Sequence, residues 1–284
     1  MNRIDRTFAA LRARHTTALI PFLMVGDPDL ETTRELMRVA ADSGADLIEL
    51  GAPFSDPSAD GPTLQRSAEI ALQAGASLPR VLEIIADFRR ASDVPVILYG
   101  YYNPIFRYGP ERFATDACRA GVDGVLVVDL PPEEAEELLK WTRAVNVHMI
   151  FVLAPTSGPD RVRTVLKSAR GFVYYVSVTG VTGVRPMQVE AVRPAVERLR
   201  RVTQLPIGVG FGISTPEQAS AVAEFADAAI VGSAIMRVVD THRGSAGLVA
   251  EVGAFIQHLK KGVRHAGTTE APESGRERMP HGDE

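Results

Sequence analysis

Short apolar runs alternate with polar loops and longer amphipathic stretches from residue 17 to residue 261, the rhythm of a repeating βα unit. The apolar runs predict strands at 17–25, 45–51, 94–100, 121–128, 147–153, 171–177, 206–211 and 227–231. Amphipathic stretches predict helices at 30–43, at 64–74 with 79–90, and at 110–120, 132–144, 159–168, 189–202, 216–225 and 248–261. Proline recurs in the first helical turn, where its missing N–H costs nothing, and Thr215-Pro216-Glu217-Gln218 spells a capping box. Gly44, Gly75, Gly121 and Gly171 fall where helices end, as C-cap glycines do. The strands are mostly apolar on both faces, which suits a sheet covered outside by helices and filled inside, and disfavours an antiparallel sandwich. An open doubly wound sheet shares this alternation, but a count of eight favours closure. The expected fold is therefore α/β: a single (β/α)8 TIM barrel with extra N-terminal and loop helices.

Composition narrows the function classes. Of 284 residues, 45% are hydrophobic and 23% charged, enough to bury one core of barrel size. Residues 1–265 are expected to form the catalytic domain, and 266–284, rich in Gly, Pro, Thr, Glu and Arg, a disordered tail. A net charge of −4 argues against nucleic acid or an anionic membrane as the main partner. The six histidines are scattered without metal-ligand spacing. One cysteine, Cys118, excludes an internal disulfide and is expected to be a buried, reduced thiol. No apolar run reaches membrane-spanning length and the N-terminal stretch lacks a signal-peptide core, so the expected location is the cytoplasm.

The first chemical constellation is ELGAPFSDPSADGP, residues 49–62. Alternation along 45–51 places Leu47, Glu49 and Gly51 on one face, so Glu49 interrupts an apolar strand at its exit, where barrel enzymes keep their chemistry. A strand carboxylate neutralised by a neighbouring Arg or Lys is an equally good account of this residue alone. Asp60, read alone, is turn chemistry, as is Asp56 before its proline. Together, Glu49 and Asp60 at one barrel mouth can divide acid–base and hydrogen-bonding roles.

The second constellation comprises Gly180-Val181-Thr182-Gly183, Gly210-Phe211-Gly212-Ile213-Ser214 and Gly232-Ser233-Ala234, each following a predicted strand. One glycine is a tight turn. Three consecutive Gly-bearing βα loops favour a phosphate, with a helix starting at Gly232 aiming its positive end at the anion. The run Gly208 to Gly212 lacks the spacing and context of a dinucleotide fingerprint, and no G-x-S-x-G elbow is present. Lys260, Lys261, Arg264 and His265 complement the end of the last helix, and Trp141 reads as helix packing.

Taken in order, IPFLMVGDP at 20–28, ELGAPFSDPSADGP, YYNPI at 101–105, YYVSVTGVTG at 174–183, GFGIS at 210–214 and VGSAI at 231–235 resemble the α subunit of tryptophan synthase. The likeness runs from about Phe8 through the last helix and omits the tail. It implies retro-aldol cleavage of indole-3-glycerol phosphate to indole and glyceraldehyde 3-phosphate, with no cofactor in this chain. Glu49 matches the family's acid–base residue, Asp60 the carboxylate that accepts the indole N–H, and Tyr174 an active-site tyrosine. Phe22, Tyr101 and Leu126 match positions beside the ring. Gly183, Gly212, Gly232 and Ser233 match the phosphate site, and Thr182 the loop that closes over substrate and meets Asp60. The resemblance further implies a β subunit carrying pyridoxal phosphate, in an α2β2 heterotetramer, with Asp56, Asn103 and Asp129 in the contact loops. Ser58 stands where an apolar residue is often found, and Tyr99-Gly100 where a more apolar or Thr-containing pair is usual. A stand-alone lyase releasing free indole and a mainly allosteric binding subunit are the rival expectations.

Overall fold

A computed structural model describes residues 1–176, 189–210 and 212–265. In chain order the elements are α1 (Arg3–Ala13), β1 (Ala18–Met24), α2 (Leu30–Asp42), β2 (Ile48–Gly51), α3 (Pro62–Gln73), α4 (Leu78–Arg89), β3 (Val96–Gly100), α5 (Tyr102–Tyr108), α6 (Pro110–Ala120) and β4 (Gly124–Val127). They continue as α7 (Glu136–Ala144), β5 (His148–Leu153), α8 (Pro159–Ser168), β6 (Val173–Val176), α9 (Val189–Arg200), β7 (Ile207–Gly210), α10 (Pro216–Ala223), β8 (Ala228–Val231), α11 (Ser233–Thr241) and α12 (Leu248–His265). The eight strands close in sequence order, β1 pairing with β8, and every pair is parallel. This is the (β/α)8 barrel that the periodicity predicts, with α1, α3, α5 and α11 beyond the basic repeat.

All eight predicted strands are present, and each begins later than predicted, because the residues before it belong to the turn that brings the chain from the preceding helix. Four predicted C-cap glycines, Gly44, Gly75, Gly121 and Gly171, adopt positive φ, which a Cβ would disfavour. Thr215 and Gln218 form the reciprocal capping box. Two expectations need correction. The helix predicted from residue 132 begins at Glu136, since Pro131-Pro132 starts a turn in which the Glu134 N–H donates to the Pro131 carbonyl. Cys118 is exposed. The buried stripe of α6 is Phe113, Ala114, Ala117 and Ala120, and Cys118 falls on its other face.

The floor of the barrel, at the strands' N-terminal ends, is held by one device used three times. Asp46, Asp123 and Asp227 each precede a strand, and each donates its N–H to a carbonyl of the preceding strand or its lead-in: Leu19, Val96 and Ile207 respectively. The carboxylate then accepts the N–H of that same residue, at 2.7, 2.9 and 2.8 Å. A helix supplies the compensating cation each time: Lys260 for Asp46, Arg89 at 3.1 Å with Arg3 at 3.0 Å for Asp123, and Arg200 at 2.9 Å for Asp227. Charge and hydrogen bonds together satisfy these carboxylates as the strands draw them from water. Above them, Ile4 of α1 fills the space left by Gly124 and Gly171, plugging the floor. Chemistry is left to the opposite end. Among the described residues no helix is long and apolar enough to cross a membrane.

Candidate active site

At the C-terminal mouth, β2 carries Glu49 in register with Phe22 of β1 and Ile97 of β3. Only 3% of Glu49 is exposed, and its Oε1 is buried without a hydrogen-bond partner among the described residues. Burial pushes its carboxyl up to about 8, and the negative charge of Asp60 adds to the rise. No cation is paired with it among the described residues, so the structural account of a salt-bridged strand glutamate fails. Gly51, two residues on, makes room for the Phe22 ring: a Cβ there would lie 2.6 Å from its Cζ.

The loop after β2 returns Asp60 to the same cavity, 3% exposed, just before the Gly61 N-cap and Pro62 of α3. The Tyr99 hydroxyl donates to Asp60 Oδ1 at 2.5 Å and the Tyr101 hydroxyl to Oδ2 at 3.1 Å. Burial raises the Asp60 carboxyl, opposed by these two bonds, which favour its ionised form. Tyr174 faces the pair from β6. Its phenol is raised well above 10, first by burial and then by the charges of Glu49 and Asp60. Gly210 accommodates that ring, since any side chain there would collide with the Tyr174 hydroxyl. Two carboxyls and neutral phenols thus surround a space walled by Phe22, Leu126 and Tyr99, all buried.

β8 adjoins β1, so only β1 separates the Gly232-Ser233 turn from β2, and Gly232 opens over Phe22. Ser233 begins α11, whose first-turn N–H groups need no carbonyl within the helix. Gly212, after β7, has φ +82 and is exposed at the same mouth. Thr182 and Gly183, with residues 177–188 generally, and Phe211 lie outside the described residues. Asp56 and Asp129 are exposed on neighbouring loops, whereas Asn103, expected in a contact loop, is exposed in the first turn of α5, whose first N–H, from Tyr102, donates to Asp129 Oδ1 at 2.8 Å.

In the sequence Tyr99 stands out only as a departure from the family's usual pair at that position. Its signal was available: Ile97, Tyr99 and Tyr101 recur at the strand period of two, placing both hydroxyls on the face that meets Asp60.

A sequence model of the family "Tryptophan synthase alpha chain" matches residues 8–264. The chain is similar to the tryptophan synthase alpha chain of Geotalea uraniireducens (strain Rf4), 51% identical over 267 residues covering 94% of this chain and 100% of that one. Its counterpart in Geobacter sp. (strain M21) is 50% identical, with 93% and 98% covered. Among solved structures, tryptophan synthase subunit alpha from Legionella pneumophila str. Paris gives a TM-score of 0.87 at 38% identity, covering 93% of this chain and 98% of that one. A chain of tryptophan synthase from Mycobacterium tuberculosis gives 0.85 at 35% identity, with 93% and 98% covered.

Proposed function

The chain belongs to the tryptophan synthase alpha chain family and is a lyase of tryptophan biosynthesis that cleaves indole-3-glycerol phosphate to indole and glyceraldehyde 3-phosphate; we propose that Glu49 moves the protons of this reaction while Asp60 holds the indole nitrogen. The observation that carries this reading is the buried Glu49, with no cation paired to it among the described residues, beside Asp60.

The retro-aldol step needs a proton placed on the ring carbon that bears the glycerol chain, and a proton removed from the adjacent glycerol hydroxyl. Held up to about 8, Glu49 carries a proton at neutral pH and can give it to the ring carbon. Positive charge then develops on the ring nitrogen, and Asp60 accepts its N–H and stabilises that charge. The resulting Glu49 carboxylate takes the hydroxyl proton. The carbon–carbon bond breaks, its electron pair returns to the ring and neutralises the nitrogen, and an aldehyde forms. Tyr174 supports the pair from the facing strand. Phe22, Tyr101 and Leu126 hold the apolar ring, while Gly212, Gly232, Ser233 and Gly183 receive the phosphate through backbone amides and one hydroxyl. Thr182 belongs to a closing loop that completes the site against Asp60.

The reaction uses no cofactor in this chain. The family implies a β-subunit partner, and in our reading it carries pyridoxal phosphate, receives indole directly and assembles as α2β2. The exposed Asp56, Asn103 and Asp129 at the mouth support a contact surface there. The family's biosynthetic role supports a cytoplasmic setting, and its match to 8–264 supports 1–265 as the catalytic unit. An indole-release assay on indole-3-glycerol phosphate, with and without a β-type subunit, tests the partner reading. Slow cleavage that accelerates on mixing is expected; full activity alone, unchanged by the partner, would overturn partner dependence.

A further inference from the structure

Asp60 sits at the end of a ten-residue strandless loop, 52–61, yet its work requires a fixed carboxylate. The rigidity comes from β3. Tyr99 is buried in the strand, its ring edge-on to Phe22 with centroids 5.4 Å apart and planes at 87°. Nothing in that packing uses the hydroxyl, which Phe would lack. It is spent on Asp60 Oδ1 at 2.5 Å, a charge-assisted phenol–carboxylate bond. Tyr101, two residues on, takes Oδ2 at 3.1 Å, accepts the Ala59 N–H at 3.1 Å, and lies with its ring 5.2 Å from that of Phe54. The loop is thereby tied at Phe54, Ala59 and Asp60 to β3 and to Tyr101 just past its end.

We propose that Tyr99 is a positioning residue for the cleavage, clamping the Asp60 carboxylate from β3 in the orientation that receives the ring N–H. The proposal rests on the reading of Glu49 and Asp60 given above. Each carboxylate oxygen has two lone pairs, so Oδ1 still accepts a substrate N–H beside the phenol. A phenol that donates also favours the ionised carboxylate, so the proton shared between two crowded carboxyls resides on Glu49, where the reaction starts. Tyr99 therefore sets the division of labour between the carboxyls without touching a reacting atom.

Tyr99→Phe keeps the ring and removes the donor. The rate of indole release is measured against pH for the unmodified chain, Tyr99→Phe, Tyr101→Phe and Glu49→Gln, each checked for thermal midpoint. In Tyr99→Phe the acid limb of kcat/KM should move up by about one to two pH units, the worth of a hydrogen bond to a charged group, with kcat falling more than KM rises. Tyr101→Phe, losing the longer bond, should move it less. A uniform fall with an unmoved limb would leave Tyr99 a packing residue and overturn the proposal. Undiminished turnover in Glu49→Gln would instead remove the underlying site reading. Should Tyr99→Phe not fold, a carbon-13 titration of the unmodified chain decides: Asp60 ionising at lower pH than Glu49 supports the clamp, and the reverse order overturns it.

Discussion

Glu49 and Asp60 at the barrel's mouth are treated in the opposite way to Asp46, Asp123 and Asp227 at its floor. At the floor, Asp123 accepts a backbone N–H and two guanidinium groups, and Asp46 and Asp227 repeat the arrangement with Lys260 and Arg200. At the mouth, Asp60 is held by two neutral phenols, and Glu49 Oε1 has no hydrogen-bond partner among the described residues. A cation at the floor compensates each carboxylate's charge. Glu49, with none paired to it among the described residues, keeps a proton exchangeable near neutral pH. Burial alone does not mark a catalytic carboxylate; burial with its charge uncompensated does.

The sharpest way to break this contrast is Glu49→Gln, which keeps the shape and removes the proton. Indole release should fall by roughly 10²–10⁴-fold, while glyceraldehyde 3-phosphate still binds in a titration. Near-normal turnover would make the mouth carboxylate as structural as those of the floor. The matching floor variant, Asp123→Ala, removes the carboxylate that Arg89 and Arg3 share and should cost about 3 kcal/mol in denaturant unfolding. A loss of stability no larger than a surface substitution would show that the floor pairs are dispensable.

A subtler test uses stability itself. Folded Glu49 keeps its proton up to about 8, whereas the unfolded chain releases it near 4.5, so the native state binds more protons between those values. Stability from this group therefore falls as pH rises through that window. Relative to the unmodified chain, Glu49→Gln should gain progressively between pH 4.5 and 8, on the order of 4 kcal/mol across it, and show no further trend below it. A flat difference would mean that Glu49 is compensated in the folded protein.

Much of this was legible along the chain because the signals are local. Period two and period 3.6 gave the alternation, proline and glycine marked helix starts and stops, and the capping box needs only four residues. Cys118 was misplaced although the same periodicity excludes it from the stripe of Phe113, Ala114, Ala117 and Ala120. The two prolines at 131 and 132 obscured the start of α7, because proline favours a first helical turn and a preceding turn alike.

By itself the sequence determined the order and kind of the elements, the closure number of eight, and the placing of Glu49 and Asp60 around one strand exit, since each depends on neighbours a few positions away. Only the tertiary structure decided which carboxylates meet cations. Asp46 finds Lys260 at a separation of 214 residues, and Asp60 finds Tyr99 at 39. Such pairings arise when the barrel closes and fixes which strand ends and helix ends share a space. Closure also removes the water that would otherwise leave Glu49 an ordinary surface acid, and that desolvation is a property of the assembled mouth.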